Sequence, residues 1–472
     1  MTECNDERID FQALGSRDVV AQFNGGRITS DGGVLLLREL EDQVGFIQRL
    51  ADCFEDHRDP ERIEHTVEEL LRQRIYGLIL GYEDLNDHDD LRRDSALAAA
   101  CGKPEPEGQD RRQPQDEGKA LAGKSTLNRL ELGAADGGSE QRYKRIEGDV
   151  SRLEECLVDL WVDLLARRYP DGGPDEIVLD ADASDIQLHG GQEGRHYQGY
   201  YDGYCYLPLY VFQGEWLIAS WLRTSDQSAS GSCRPSLELA VDAIQTRWPD
   251  CTIVLRADSD FSTPTIFEWC ETWEVDYIFG LRNNPRLYEA IEDEMNDVQT
   301  QAERAEDGTA RRYVDFDYQT LESWDHARRV VAKVEYTEGE ANPRFVVTSR
   351  SREEASPETV YCEEYCARGE SENRIKEVQL GLFGTRTSTR SMESNQCRVF
   401  LSSIAYLLVC ALRSLGLEGT PWANLQTSSI STKLLKIGAL VCVSTRRVWL
   451  KMASSYPYQS LFREIVQRIR AP

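Results

Sequence analysis

The stretch IVLDADASDI, residues 177–186, decides how the fold of this chain is interpreted. It joins a run of aliphatic and β-branched residues, typical of a buried strand, to three aspartates. Two segments of similar character follow, GYCYLPLYVF at 203–212 and EWLIASWLR at 215–223, and glycine-bearing turns separate them. The sequence therefore predicts three consecutive strands.

Beyond these strands, the pattern changes to an alternation of helix and strand. We expect a helix at 235–248, a strand at 251–260, a helix at 263–273 and a strand at 275–282. Three strands followed by such an alternation is the order of a ribonuclease-H-like core. We therefore predict an α/β fold class, with this core formed by residues 146–282 and completed by residues 359–420.

The remaining segments have patterns of their own. Leucines and isoleucines recur at spacings of three and four between residues 31 and 101, so residues 1–145 are predicted to form an N-terminal helical domain. Alternating residues in 283–358 predict a small antiparallel sheet, which makes this segment a β-rich insertion within the core. Residues 421–472 are interpreted as a basic, helical C-terminal segment.

Charge is distributed unevenly along the 472 residues. The formal net charge of −28 taken alone argues against a nucleic-acid partner, because phosphates are contacted by Lys and Arg. Residues 373–472 nevertheless hold 14 Lys and Arg against 4 Asp and Glu, so the end of the chain is basic. Only 9 lysines accompany 45 arginines, and this acidic, lysine-poor composition suggests adaptation to concentrated salt.

Compartment and membrane association are inferred from the apolar and cysteine content. The 13 scattered cysteines form neither a disulfide framework nor a zinc-ribbon pattern. The N-terminus lacks an export signal, and the longest uncharged apolar run, residues 399–412, is too short to cross a bilayer and suits a buried helix. We expect a cytoplasmic protein without membrane association.

Two pairs of carboxylates stand where predicted core strands end. Asp180 and Asp182 close one strand, and Asp258 and Asp260 close another. The two members of a pair are two residues apart, and side chains alternate between the faces of a strand. Both members therefore point to the same face, and the strand periodicity does not show which of them is functional. Groups at the carboxyl ends of strands in an α/β sheet line the usual ligand crevice. With 82 Asp and Glu in the chain, chance pairs on the surface are the alternative interpretation.

A third carboxylate stands in YCARGESENRIKEVQ, residues 365–379. On a regular helix Tyr365, Arg368, Glu372 and Gln379 fall within a sector of about 60°. Glu372 is then either half of a surface ion pair with Arg368 or one ligand of a metal site. Three carboxylates from two strands and a helix suit two Mg²⁺ ions, which stabilise the attacking and leaving oxygens of a phosphoryl displacement.

At these residues the sequence resembles the DDE transposases of insertion sequences, in particular the insertion sequence 1380 family. That superfamily marks its third carboxylate with Tyr-x2-Arg-x3-Glu-x6-Lys. Tyr365, Arg368 and Glu372 match this motif, whereas Gln379 replaces the lysine and Lys376 stands nearby on the same predicted face. The resemblance extends to FNGGRITSDGGVLLLREL, LLRQRIYGLILGYEDLNDHDDLR, GYYDGYCYLPLYVF and RGESENRIKE.

The resemblance implies which carboxylates act. In that family the first catalytic carboxylate is the first residue of an Asp-x-Ser motif, which is Asp182 here. The second is the first residue of an Asp-Ser-x-Phe motif, which is Asp258 here. It thus implies Asp182, Asp258 and Glu372 as catalytic residues and ligands of two Mg²⁺ ions, with Mn²⁺ as a substitute. Asp180 and Asp260 remain second choices. It also implies a ribonuclease-H fold with a β-domain inserted between the second and third carboxylates.

The resemblance further implies a DNA partner. The chain would bind the terminal inverted repeats of its element and the target DNA, cleave and join strands, and form a homodimer that holds two ends together. The residues expected to contact DNA at the motif are Tyr365, Arg368 and Lys376. In the basic tail, Arg446, Arg447 and Lys451 are the candidates for phosphate contacts, and a solvated helix face is the alternative interpretation for them. The alternatives are a nuclease of the same fold that does not join ends, a non-catalytic DNA-binding descendant of a transposase, and an unrelated hydrolase with paired carboxylates.

Overall fold

The computed structural model describes residues 8–132, 146–227, 231, 233–337 and 339–471. The chain divides into two compact units. The first unit comprises Met1–Ala51, Asp56–Leu130 and Ala411–Pro472, and the second unit comprises Asp52–Glu55 and Glu131–Cys410. All three predicted catalytic carboxylates belong to the second unit.

The strands, in chain order, are β1 Ile9–Leu14, β2 Arg17–Ala21, β3 Arg27–Thr29, β4 Phe54–Asp56, β5 Ile146–Gly148, β6 Glu176–Ala183, β7 Ile186–Gln187, β8 His196–Gln198, β9 Gly203–Tyr206, β10 Leu209–Gln213, β11 Trp216–Trp221, β12 Thr252–Ala257, β13 Asp276–Leu281, β14 Ala310–Tyr318, β15 Arg328–Thr337, β16 Glu340–Ala341, β17 Arg344–Thr348, β18 Ala439–Ser444 and β19 Arg447–Met452.

The α-helices are α1 Leu35–Val44, α2 Phe46–Ala51, α3 Val67–Ile79, α4 His88–Leu91, α5 Ser95–Ala100, α6 Lys124–Glu131, α7 Val150–Arg168, α8 Arg234–Arg247, α9 Pro264–Thr272, α10 Pro285–Glu289, α11 Glu292–Ala302, α12 Glu370–Lys376, α13 Met392–Leu412, α14 Thr427–Ile430 and α15 Gln459–Ile469. Helix α12 is the middle of a longer helical segment, residues 359–381, which we call the site helix.

A large mixed sheet forms the centre of the second unit. Its strand order is β11-β10-β6-β12-β13-β17-β15-β14, and β16 pairs with the end of β15. β6, β12 and β13 run parallel to one another, while β10 and β11 are antiparallel neighbours on one side. The predicted alternation of helices and strands between residues 235 and 282 is confirmed by α8, β12, α9 and β13.

One predicted strand is divided in two. The segment 203–212 forms β9 and β10, with Leu207 and Pro208 between them. A proline has no backbone N–H to donate to a neighbouring strand, so the ladder is interrupted there. β9 pairs with β7 and β8 in a separate three-stranded sheet, whereas β10 continues into the large sheet.

The strands of segment 283–358 correct the expectation of a separate small sheet. β14, β15 and β17 are antiparallel to one another, as predicted. β17 also pairs with β13, so these strands extend the central sheet. The physical reason is that β13 would otherwise present an unpaired edge, which β17 covers. The segment also begins with two helices, α10 and α11.

The site helix lies on a face of the central sheet. Its residues Val360 and Tyr361 pack in an apolar cluster with Val254, Ile278 and Val331, which come from three different strands. These side chains are nearly inaccessible to solvent, so burial of apolar area holds the helix on the sheet. Helix α13 packs on the β10–β11 side, where Ser403 and Ser220 share a hydrogen bond.

Neither end of the chain is wholly helical, which corrects both predictions. In the first unit, helices α1 to α5 are accompanied by the hairpin β1–β2 and by strand β3. The predicted helical segment 421–472 contains the hairpin β18–β19, and β18 also pairs with β3. β-branched residues in ALVCVS favour a strand, and the turn Thr445–Arg446 reverses the chain.

Helix α13 and the π turn Arg413–Leu417 that follows it form one helical segment, Met392–Leu417, which is long and apolar enough by composition to cross a membrane. Its most apolar window is 89% buried inside the protein, as a core helix would be. The prediction that residues 399–412 form a buried helix is therefore confirmed.

Candidate active site

Two of the predicted carboxylates lie next to each other at one end of the central sheet. β6 and β12 are parallel neighbours, and their last residue pair in register is Ala181 with Ala257. Asp182 is the next residue of β6, and Asp258 directly follows the end of β12. Because parallel strands end at the same edge of a sheet, the fold brings together two carboxylates that are 76 positions apart in the chain.

A short turn orients the second of these carboxylates. Asp258 directly follows β12 and caps a single 3-10 turn, Ser259–Phe261. Its Oδ1 accepts the backbone N–H of Asp260 at 2.9 Å. One carboxylate oxygen is thus held by the backbone.

The site helix contributes an arginine to this pair. Arg368 Nη1 donates to Asp182 Oδ2 at 3.0 Å, and Asp182 Oδ1 accepts the backbone N–H of Ala183 at 2.9 Å. The guanidinium also lies over the ring of Tyr365, 5.9 Å from its centre. Arg368 is therefore not half of an isolated surface ion pair with Glu372, because it donates to Asp182 on the central sheet.

The site helix is irregular, and this changes which residues share a face. It passes from a π turn, Thr359–Tyr365, through a 3-10 turn, Cys366–Gly369, to α12, and ends in a second π turn, Glu377–Gly381. A π turn holds more residues per turn than an α-helix, so it rotates the residues that follow. The assumption of a regular α-helix, which placed Gln379 in the same sector as Glu372, therefore does not apply.

The residues of this helix accordingly face different surroundings. Glu372 and Lys376 are exposed, whereas Gln379 is buried. The side chain of Gln379 accepts from Ser184 Oγ and donates to the backbone carbonyl of Asp185, both at 3.4 Å. The prediction that Gln379 shares a face with Glu372 is wrong, and Gln379 packs beside the end of β6.

Burial and like charges perturb the carboxylates. Burial raises the pKa of Asp182 to about 6, although Arg368 opposes this effect, and the charges of Asp258 and Glu372 raise it further. Burial also raises the pKa of Asp258, with Asp260 as an additional repulsive charge. Asp182 is thus repelled by two further carboxylates, and both Asp182 and Asp258 are partly withdrawn from water, so a divalent cation would stabilise this donor set.

The structure separates the members of each acidic pair. Both oxygens of Asp180 are used by Arg256, whose Nε and Nη2 donate to them at 2.7 Å. Asp260 is exposed and pairs with Arg282. Asp182 and Asp258 therefore remain the members that lie at adjacent strand ends without an arginine on both oxygens, and the charge of Asp258 acts on Asp182.

A cavity of about 340 Å³ adjoins Asp258. Its lining includes Arg282, Arg344, Tyr361 and Tyr365. Tyr365 approaches β13 very closely at Gly280, where an added Cβ atom would lie 2.6 Å from the tyrosine hydroxyl oxygen. Gly280 therefore leaves space that Tyr365 occupies.

The predicted basic contacts of the C-terminal segment lie in the first unit. Arg446, Arg447 and Lys451 are all exposed on the hairpin β18–β19. The same hairpin exposes Trp449, and the Arg447 guanidinium lies 5.8 Å from the centre of that ring. The hairpin thus combines positive charge with an exposed aromatic ring.

Within the described parts of the chain, only Glu271, Asp325 and His326 place potential metal-ligand atoms all within 4.8 Å of one another. All three are exposed. Arg328 already donates to Glu271 at 2.8 Å and to Asp325 at 3.0 Å, so this group holds a cation of its own. We assign it to ion pairing.

Comparison with known proteins decides the family. The sequence profile described as "Transposase DDE domain group 1" matches residues 11–472, nearly the whole chain. The chain belongs to this family of DDE transposases. Membership implies an enzyme that cleaves DNA and transfers strands, in a family that generally uses divalent metal ions.

One solved structure similar to this DDE family member is described as a cryo-EM structure of a piggyBac transposase synaptic complex with hairpin DNA. The two share 12% sequence identity with a TM-score of 0.38, and the match covers 94% of this chain and 83% of that chain. Among curated proteins, none matches the chain.

Sequence reasoning missed Arg256 and Gly280 in this transposase. Arg256 was detectable in principle, because it is the single charged residue of the strand TIVLRA and a buried charge needs a partner. Gly280 carried no signal of its own, since its importance comes from a tyrosine 85 positions later in the chain.

Proposed function

We propose that this DDE family member is the transposase of a bacterial or archaeal insertion sequence, of the insertion sequence 1380 type. It binds the terminal inverted repeats of its element, cleaves the DNA ends in a metal-dependent reaction and transfers them to target DNA. Family membership and the Tyr365, Arg368 and Glu372 motif support this proposal.

The observation that carries the proposal is the pairing of Asp182 and Asp258 at adjacent strand ends. They follow the same register pair of β6 and β12, and Arg368 reaches Asp182 from the helix that bears Glu372. Two strands and one helix therefore converge with one carboxylate each, which is the arrangement expected for DDE chemistry.

We further propose that the second unit has a ribonuclease-H-like core. The strand order β11-β10-β6-β12-β13 corresponds to the order third, second, first, fourth, fifth along the chain. Strand β10 is antiparallel to both of its neighbours, β6 and β11, while β12 and β13 run parallel to β6. That arrangement supports the ribonuclease-H interpretation made from the sequence.

We propose two Mg²⁺ or Mn²⁺ ions, as the resemblance implies, because a metal pair about 4 Å apart stabilises both the attacking and the leaving oxygen of an in-line displacement. Asp182, Asp258 and Glu372, which come from two strand ends and a helix, are the residues that would hold them. Asp182 senses the charges of both other carboxylates, so it is placed to be shared. Two such ions, when bound, would supply an activated oxygen nucleophile and stabilise the leaving oxygen.

The remaining residues bind and orient. Arg368 donates a hydrogen bond to one oxygen of Asp182. The other N–H groups of its guanidinium are suited to bind a phosphate that approaches the carboxylates. Exposed Lys376 on α12 adds a positive charge one turn beyond Glu372. Tyr365 forms part of the cavity wall beside Asp258 and is available to contact a nucleotide there.

The wider assembly follows from this function. We propose that the N-terminal helical region recognises the element's ends, that the exposed hairpin residues Arg446, Arg447 and Lys451 contact DNA phosphates, and that a homodimer in the cytoplasm holds two ends together. The basic balance of residues 373–472 supports a phosphate-binding role for the end of the chain.

The test is cleavage and joining of a labelled DNA that carries the element's end, with Mg²⁺ and across a range of salt concentrations. The variant Glu372→Gln should lose both products, because an amide is a poor ligand for Mg²⁺. Glu370→Gln, an exposed neighbour on the same helix, is the matched control and should retain both. Cleavage without joining would favour the nuclease alternative, and activity that persists in Glu372→Gln would refute the proposed site.

A further inference from the structure

Strand β12 carries a charged residue in its apolar interior. Arg256 has a side chain that is 13% exposed, and a charge in such surroundings is costly unless it is paired. Its partner is Asp180 on β6, which stands directly opposite in the parallel register. Nε and Nη2 of the arginine each donate to one carboxylate oxygen at 2.7 Å, the two-bond geometry that guanidinium and carboxylate share.

The same guanidinium makes a third contact. Arg256 Nη1 donates to the backbone carbonyl of Glu364 at 2.6 Å. Glu364 lies in the site helix, just before the point where its π turn changes to a 3-10 turn. The arginine thereby holds the helix at its irregular junction.

These three contacts join the three elements that position Asp182, Asp258 and Glu372. Asp180 on β6 is two positions before Asp182, and Arg256 on β12 is two positions before Asp258. On the site helix, Glu364 is eight positions before Glu372. One planar group therefore spans all the elements whose relative position sets the distances between the carboxylates.

We infer that Arg256, with Asp180, is a positioning residue that holds the three carboxylates at the spacing needed to bind divalent cations. The inference rests on the proposed function and deepens it, because it assigns a role in the same site to residues outside the DDE set. Arginine is required because it presents several donors in one rigid plane, whereas lysine offers a single charged centre. When a residue that orients a metal ligand without contacting the metal is lost, the affinity for the metal typically falls by about 10–100-fold.

A matched control lies in the same sheet. Arg329 on β15 is also buried, and it bonds Asp315 at 2.7 Å and the backbone carbonyls of Ser351 and Ala355. It thus resembles Arg256 in burial and bonding, but its strand lies three places away from β12 and bears none of the proposed ligands. A loss of stability alone should be similar for the two arginines.

The experiment measures Mn²⁺ binding to the full-length chain by the electron paramagnetic resonance signal of free Mn²⁺, together with the thermal midpoint of each variant. We expect Arg256→Lys to raise the Kd for Mn²⁺ at least about tenfold. Arg329→Lys should lower the thermal midpoint to a similar extent and leave the Kd unchanged. A Kd in Arg256→Lys that equals the wild-type value would overturn the inference.

Two further variants keep the outcomes distinct. If Asp182→Asn binds Mn²⁺ as the wild type does, the carboxylate site itself is wrong and the failure belongs to the proposed function. If Asp182→Asn loses Mn²⁺ while Arg256→Lys keeps it, only the positioning role fails. Should Arg256→Lys not fold, Asp180→Asn preserves the shape of the pair and removes its charge, and an unchanged Kd in that variant would equally refute the role.

Discussion

At the scale of residues, Asp180 and Asp182 have the same side chain and face the same way, yet their surroundings give them different chemistry. Asp180 meets an arginine that uses both of its oxygens. Asp182 meets Arg368 through one oxygen and lies among other carboxylates. The first is therefore satisfied by an ion pair, while the second keeps the capacity to bind a cation.

The pH dependence of Asp182 follows from this difference. Its pKa is raised from 3.8 in the unfolded reference to about 6 in the folded chain, so the folded state holds the proton more tightly. The free energy of unfolding contributed by this group should fall as pH rises from about 4 to about 6, by at most about 3 kcal/mol, and stay level above. Mn²⁺ affinity should change in the opposite direction, since the ion needs the charged carboxylate.

Urea denaturation of metal-free wild type and Asp182→Asn between pH about 5 and about 7.5 measures this effect. The difference between the two proteins should change with pH up to about 6 and then remain constant. A difference that is independent of pH across the whole interval would contradict the raised pKa.

At the scale of elements, the site depends on how closely the site helix lies against β13. Tyr365 reaches the strand where Gly280 has no side chain. Its ring also packs beside Tyr361, with 5.9 Å between ring centres, in the cluster that fixes the helix on the sheet. The position of Arg368 and Glu372 therefore depends on a close approach between two elements.

A methyl group at position 280 should disturb this approach. Gly280→Ala places Cβ 2.6 Å from the Tyr365 hydroxyl oxygen, so the tyrosine must move, at a cost of about 1–3 kcal/mol in unfolding free energy. DNA cleavage should fall as well. In the double variant with Tyr365→Phe, which removes the clashing oxygen, part of the lost stability should return.

Gly369→Ala supplies the control for this prediction. Gly369 lies in the same helix, and an added Cβ would meet nothing within 4 Å. Stability should be unchanged or slightly increased, since alanine favours the helix. If Gly280→Ala is as well tolerated as this control, the close approach does not constrain the site.

At the scale of the whole molecule, function depends on placing positive charge locally on an acidic protein. The chain has a net charge of −28, but residues 373–472 reverse the sign. Arg446, Arg447 and Lys451 stand exposed on one hairpin. We expect DNA to contact such basic segments, because residues 1–372 carry a net negative charge that repels phosphate.

Salt dependence tests this distribution. The triple variant Arg446→Ala, Arg447→Ala and Lys451→Ala should weaken DNA binding and reduce the slope of log K against log salt by about 0.9 for each phosphate contact removed. Arg62→Ala, an exposed arginine paired with Asp59 in the acidic part of the first unit, should leave the slope unchanged. Equal slopes in the triple variant and the wild type would remove the hairpin from the DNA-binding surface.

The sequence alone determined the features that depend on local composition. Runs of β-branched and aromatic residues bounded by turns marked β6 and β11 to β13, and α8 and α9 were predicted between these strands, because such local composition reflects burial within a sheet. It also located the acidic residues at the strand ends and the motif on the site helix. In these cases each residue's neighbours in the chain carry the information.

Tertiary structure alone decided what distant residues do to one another. The ion pair that occupies both oxygens of Asp180 comes from Arg256 on another strand, and the burial of Gln379 comes from π turns and from packing beside β6. The extension of the central sheet by β17 came from pairing with β13. Burial, pairing and pKa depend on partners far away in the sequence, so no local pattern determines them.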